Sequence, residues 1–288
     1  FLQSDASVKK ISAHISKKVS DKLEEMFKND REDFEKKWED IKIFIQYGSI
    51  TDEKFWDRAK SFFLLKNVEG KYFTLDEYKT YIETLQKDKN ETLVYLYAAD
   101  AEKQHIYIQS AQERGYDVLL MDSILDAHFI NMLEQKLEKS KFARVDADVI
   151  DKLIEKEDSL ISKLSEEERK NLSEIFENSV EKEKFTVVVE SLNDTDLPVM
   201  IMQNEFMRRF QDMERLSGQN GMYGRFEHYN LVVNDNNEVI VNLLKEEDAE
   251  KKSQMTQQLV DLALLSQNML TGEKLSQFVR RSLDFIAK

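Results

Sequence analysis

Three short apolar runs separated by helix-length segments constrain this chain more than any other feature. "TLVYLYA" (92–98), "YDVLLM" (116–121) and "FARV" (142–145) are short and rich in β-forming residues. Between the first two, residues 101–114 read as a helix that Gly115 stops. Between the last two, "DAHFINMLEQKLEK" has helical spacing. Strand, helix, strand, helix, strand is the pattern of a small parallel α/β layer. Its crossovers are expected to be right-handed.

The flanks are of different character. With one proline and seven glycines in 288 residues, long helices and short connections are expected. Val8, Ile11, Ile15, Val19, Leu23, Met26 and Phe27 recur at three- and four-residue steps, predicting an amphipathic helix over 7–28 capped by Asp5 or Ser7. Further helices are expected around 34–44 and 54–64. "NVEG" reads as a turn. "TLDEY" opens a short helix with Thr74 as N-cap and Glu77 at the capping-box position.

Residues 147–184 are highly charged and read mainly as a solvated linker and helix surface. "SEEE" from Ser165 is a capping signature. "KFTVVVESL" (184–192), "PVMIM" and "RFEHYNLVVN" read as strands of one sheet, while "NNEVIVNLL" fits strand or helix. Helices at 255–269 and 274–287, joined by "TGEK", close the chain. The fold class is therefore mixed α+β and α/β. The expected organisation is a helical segment (1–70), a small parallel α/β segment (71–150), a charged linker (151–165) and an α+β domain ending in a helical hairpin (166–288).

Composition excludes several functions. A net charge of −14 argues against nucleic acid, whose backbone demands clustered Lys and Arg. No apolar run approaches the roughly 18 residues of a membrane span; "LVDLALL" is broken by Asp261. Cysteine is absent, which removes disulfides and thiolate chemistry and fits a reducing cytoplasm. There is no P-loop, G-x-G-x-x-G, H-E-x-x-H or G-x-S-x-G. The four histidines are scattered, and no metal site is expected. With apolar cores but no catalytic constellation, a binding or structural role is favoured over a self-sufficient enzyme. A metabolite- or nucleotide-binding α/β enzyme using the layer at 92–145 is the alternative, since parallel layers bind ligands at strand C-termini. A plain scaffold is a third possibility.

Two stretches stand out as contact surfaces. Five of the ten methionines fall between Met200 and Met222, around a helix at 205–216 followed by Gly218, Gly221 and Gly224. Its apolar side chains fit either packing on the neighbouring sheet or contact with changing partners, for which methionine is suited. The final hairpin carries Leu259, Leu262, Leu265 and Met269 on one arm and Leu275, Phe278, Val279, Leu283 and Ile286 on the other. Two short helices cannot bury this surface against each other alone. Part of it can pack on the strands at 185–233, and a twofold partner would complete a four-helix bundle.

Several stretches together resemble the heat-shock protein 90 chaperone family, of the bacterial HtpG type. "LQSDASVKKISAHISKKV", "FEKKWEDIKIFIQYGSITD", "TLDEYKTYIETLQKDKNETLVYLYAAD" and "GYDVLLMDSILD" resemble the latter part of its middle domain. "VVVESLNDTDLPVMIM", "MERL" and "LVDLALLSQNML...LSQFVRRSLDFI" resemble its C-terminal domain. The resemblance implies a chain that binds non-native client proteins and forms a homodimer through the last two helices. It implies client contact by Met207, Phe210, Met213 and Leu216. It implies that the family's nucleotide-binding domain lies upstream of Phe1. ATP and Mg would then be cofactors of the parent protein and not of this chain. Gln3 matches a glutamine of the family's nucleotide-sensing loop and is a candidate there. No catalytic residue is expected in this chain.

Overall fold

The computed structural model describes residues 6–157, 160–205, 208–209 and 228–287. The chain divides into two compact units, Phe1–Val145 and Asp146–Lys288.

The first unit opens with three helices, α1 (Ala6–Asn29), α2 (Arg31–Thr51) and α3 (Glu53–Ala59). Asp30 caps α2 through the Asp33 N–H at 2.9 Å, and Asp52 caps α3 through Lys54 and Phe55, so sharp corners replace loops. Then come β1 (Leu64–Lys66), β2 (Tyr72–Thr74) and α4 (Leu75–Ile82). β1 and β2 form an antiparallel hairpin whose turn uses Gly70 at φ 83°. This corrects the helix expected to run on to residue 64: Leu64 lies in a strand, because α3 ends at Ala59. Its aromatic neighbours Phe62 and Phe63 are fully buried. Phe34, Trp38, Phe62, Phe63, Trp56 and Phe129 join through edge and tilted contacts into an aromatic core. The Thr74–Glu77 capping box forms as the residues indicated.

The parallel layer consists of β3 (Leu93–Ala98), α5 (His105–Glu113), β4 (Leu119–Leu120), α6 (Asp126–Lys136) and β5 (Ser140–Arg144). Strand order is β4-β3-β5, and both pairings are parallel. β3 is central and buried along its whole length, which is why "LVYLYA" is apolar without alternation. α5 ends in a Schellman motif: Tyr116 N–H reaches Ala111 O at 3.0 Å and Gly115 N–H reaches Gln112 O at 2.9 Å. Gly115 supplies the left-handed residue that the motif requires, φ 76°.

The second unit contains α7 (Ile150–Leu153), α8 (Glu166–Glu177), β6 (Phe185–Glu190), β7 (Val199–Met202), β8 (Tyr229–Asn234), α9 (Glu238–Lys245), α10 (Ala249–Ser266) and α11 (Gly272–Ala287). Sheet order is β6-β8-β7, with β6 parallel and β7 antiparallel to the central β8. α8 starts with a full capping box between Ser165 and Glu168. The ambiguous "NNEVIVNLL" is a helix, capped by Asn237 on the Val239 N–H. α10 begins at Ala249, earlier than expected, because Asp248 accepts from the Glu250 and Lys251 N–H groups. Leu172, Phe176, Val199, Ile201, Leu231 and Val233 join Leu259, Val260 and Ala263 of α10 in one core.

A buried polar run, Asn234–Asn237, ties the loops of this unit together. Asn234 Nδ2 donates to Asn193 O at 2.7 Å, Asn236 Nδ2 to Leu192 O and Ile161 O, and Asn237 Nδ2 to Asp196 O. Asp235 accepts from Ser162 Oγ at 2.8 Å and pairs with Arg169. These side chains satisfy loop carbonyls that would otherwise be buried unpaired.

Candidate functional site

The closing hairpin of α10 and α11 is organised by a polar seam. α10 ends in a second Schellman motif, with Met269 N–H on Leu264 O and Asn268 N–H on Leu265 O. Here Asn268 takes the left-handed position at φ 56°, which asparagine tolerates. Gly272, also left-handed at φ 60°, starts α11. Asp261, the residue that interrupts the apolar run of α10, is buried and pairs with Arg281. Gln257 also donates to Asp261, and Gln258 accepts from Arg281 Nε and donates to Ser282 Oγ. Lys274 reaches Glu181 at 2.6 Å, tying the start of α11 to the turn before β6.

This seam sets what the apolar residues can do. With polar groups joining the two helices, Leu259 lies in the core of the unit and Phe278 is buried. Met269 packs on the core at its edge, and Leu275 is half-buried. Leu262, Leu265, Val279, Leu283 and Ile286 remain 40–81% exposed. On α11 the spacing of 279, 283 and 286 places the last three on one helical stripe.

A second feature lies where the methionine-rich segment leaves β7. Arg208 pairs with Asp146, and its Nε donates to Gln203 Oε1 at 2.8 Å. Both partners of the ion pair are largely removed from water. Arg209 bonds Glu205 one turn back at 2.6 Å. Beyond this anchor, Met207, Phe210, Met213 and Leu216 lie outside the described residues, as does Gln3.

At the ends of β3 and β4 the loop amides are taken by neighbouring side chains. After β3 the N–H groups of Ala99 and Asp100 are both taken by Gln104 Oε1, at 2.8 and 3.0 Å. Asp100 in turn accepts from Glu102 and Lys103. After β4, Ser123 N–H is taken by Asp126. The amides that would have to grip a phosphate are already bonded. Among the described residues no group of three or more His, Asp or Glu side chains could hold a metal ion, and no helix is long and apolar enough to cross a membrane.

The family model described as Hsp90 protein matches residues 1–283. The chain is similar to the chaperone protein htpG of Bacteroides fragilis strain YCH46, 40% identical over 354 aligned positions that cover 99% of this chain and 52% of that protein. Chaperone protein HtpG of Porphyromonas gingivalis is 40% identical over 350 positions, covering 98% of this chain and 51% of its own length. Chaperone protein HtpG of Clostridium perfringens is 29% identical over 280 positions, covering 93% and 42% respectively. The chain spans about half the length of the curated relatives it matches.

Proposed function

Because this chain belongs to the Hsp90 protein family, we propose that it is the client-binding and dimerising part of an ATP-driven cytoplasmic chaperone. The observation that carries this reading is the exposed apolar stripe of the closing hairpin. Val279, Leu283 and Ile286 on α11, with Leu262 and Leu265 on α10, stand in water while the polar seam occupies the space between the helices. A second copy of the hairpin would cover the stripe and form a four-helix bundle. Ile11, Ile15 and Val19 of α1 are likewise exposed at helical spacing, and support a further part of the parent protein resting on that helix.

In this reading ATP and Mg belong to the parent protein and are held outside this chain. The chain has no P-loop, and its strand-end amides are already bonded. Its own part is to hold two copies together and to present the segment that follows Arg208. Non-native polypeptide would be gripped by Met207, Phe210, Met213 and Leu216, soft apolar side chains suited to unlike partners. Gln3 would serve in the nucleotide-sensing loop only when the parent's nucleotide domain is present.

Suppression of client aggregation tests the client half of the proposal. Met207→Ser, Phe210→Ser and Met213→Ser together should weaken protection of a thermally unfolding client. Dimer mass and helicity should be unchanged. If the triple variant protects as well as the parent sequence, these residues do not hold client. If it loses its secondary structure, they are core residues and the assignment fails.

A further inference from the structure

The cleft between α4 and the β1–β2 hairpin is lined by aromatic rings and carboxylates that neither dimerisation nor the client segment uses. Phe73 and Tyr81 stack with centroids 5.1 Å apart and planes 20° from parallel. Phe73 is held from behind by the buried Tyr78, edge-on at 5.4 Å. Tyr81 is 54% exposed, so about half of this side chain stands open to a ligand. Asp76 lines the same cleft, and its carboxylate makes no hydrogen bond or ion pair with the described residues.

Arg31, which lines the same cleft, shows this recognition chemistry already satisfied. Arg31 lies over the Phe27 ring at 5.5 Å. It grips Glu77 with two hydrogen bonds and Glu35 with one at 2.8 Å. Its remaining bond goes to Tyr72 O. Glu35 and Glu77 together outweigh the one guanidinium, Asp76 adds a third carboxylate, and Lys66 over the Tyr72 ring is offset by Glu39. A half-exposed aromatic ring and an unpaired carboxylate lining one cleft of net negative charge are complementary to a planar cation.

We propose that this cleft seats the guanidinium of an arginine-bearing polypeptide segment, with the ring of Tyr81 beneath it and Asp76 as its counter-ion. The inference is independent of the client and dimer assignments.

Fluorescence anisotropy of a capped, fluorescein-labelled peptide of alternating arginine and serine, titrated with the full chain at low salt, tests it. Tyr81→Leu should weaken binding roughly fivefold, the loss of a partly exposed cation–π contact. Tyr81→Phe, which keeps the ring, should bind within about twofold of the unaltered chain on the same basis. Asp76→Asn should weaken binding by several-fold. Glu166→Gln, which removes an equal charge from an exposed site on α8, should leave it unchanged. The peptide with citrulline in place of arginine, equal in shape but uncharged, should fail to bind. The proposal is overturned if the arginine peptide does not bind or if the citrulline peptide binds as well. It is also overturned if the Asp76→Asn, Tyr81→Leu double variant binds normally, or if Glu166→Gln costs as much as Asp76→Asn.

Discussion

Asp126 gives the first unit a pH dependence that one substitution should remove. It opens α6 and sits buried against α2. One carboxylate oxygen accepts from Ser123 N–H and the other from Gln46 Nε2, both at 2.6 Å. Gln46 Oε1 accepts from Ser123 Oγ at 2.8 Å. Burial pushes the carboxyl up to about 6, against the opposing pull of these hydrogen bonds and of Lys42. An unfolded aspartate titrates near 3.9. Between those values the folded chain holds the proton more tightly than the unfolded one. Stability therefore falls as pH rises through this window and stays lower above about 6, by about 3 kcal/mol for a shift of about two units. Asp126→Asn has no charge to lose. If the Gln46 amide turns end for end, its Oε1 accepts from the new Nδ2 and its Nε2 donates to Ser123 Oγ, leaving the hydroxyl of the half-buried Ser123 to donate to solvent. Urea unfolding of both proteins from about pH 4 to 7.5 isolates this group, since every other titration is common to both. The variant should match the parent sequence near pH 4 and exceed it by up to about 3 kcal/mol at neutral pH. A stability difference that does not change with pH would refute the assignment of the cost to Asp126.

Two further perturbations follow from buried and half-buried ion pairs. Asp146→Ala strands the Arg208 guanidinium with Gln203 and should cost about 3–5 kcal/mol in urea unfolding; the Asp146→Ala, Arg208→Met double variant should recover part of it, and equal losses would show the pair to be uncoupled. Hydrogen bonding by Arg31 lowers the Glu77 carboxyl to about 2. Glu77 therefore contributes stability above its ordinary titration range that is lost as pH falls from about 4.5 toward 2. Arg31→Met should flatten that acid limb of the stability profile, and an unchanged limb would place the effect elsewhere.

The elements that local rules govern were legible in the sequence. β3 and β4 show as apolar runs, Gly115 as a helix stop, and Thr74–Glu77 and Ser165–Glu168 as capping boxes, because each signal lies within a few residues of what it specifies. The β1–β2 hairpin was not legible: its strands are three residues long, and their aromatic content belongs equally to a core helix. Asp126 and Gln46 lie 80 positions apart, and Asn234–Asn237 reach loops 41 to 75 positions away. Such partners have no local pattern. The hairpin apolar residues were visible by period, but the polar seam that divides them was not. Asp261 within "LVDLALL" marked the seam, since a carboxylate on a buried helix face requires hydrogen-bonding partners, and Arg281 and Gln257 supply them.

Solution mass as a function of concentration, by light scattering on the chain and on its Val279→Asp, Leu283→Asp variant, tests the central claim most directly. Both side chains are about half exposed, so the fold does not depend on them as it does on the buried Phe278. Burying their exposed parts in both copies would contribute about 4 kcal/mol, roughly a thousandfold in Kd. The expected result is a dimer for the unaltered chain and a folded monomer for the variant. A monomeric unaltered chain, or a variant whose mass is unchanged, would contradict dimerisation through the α10–α11 hairpin.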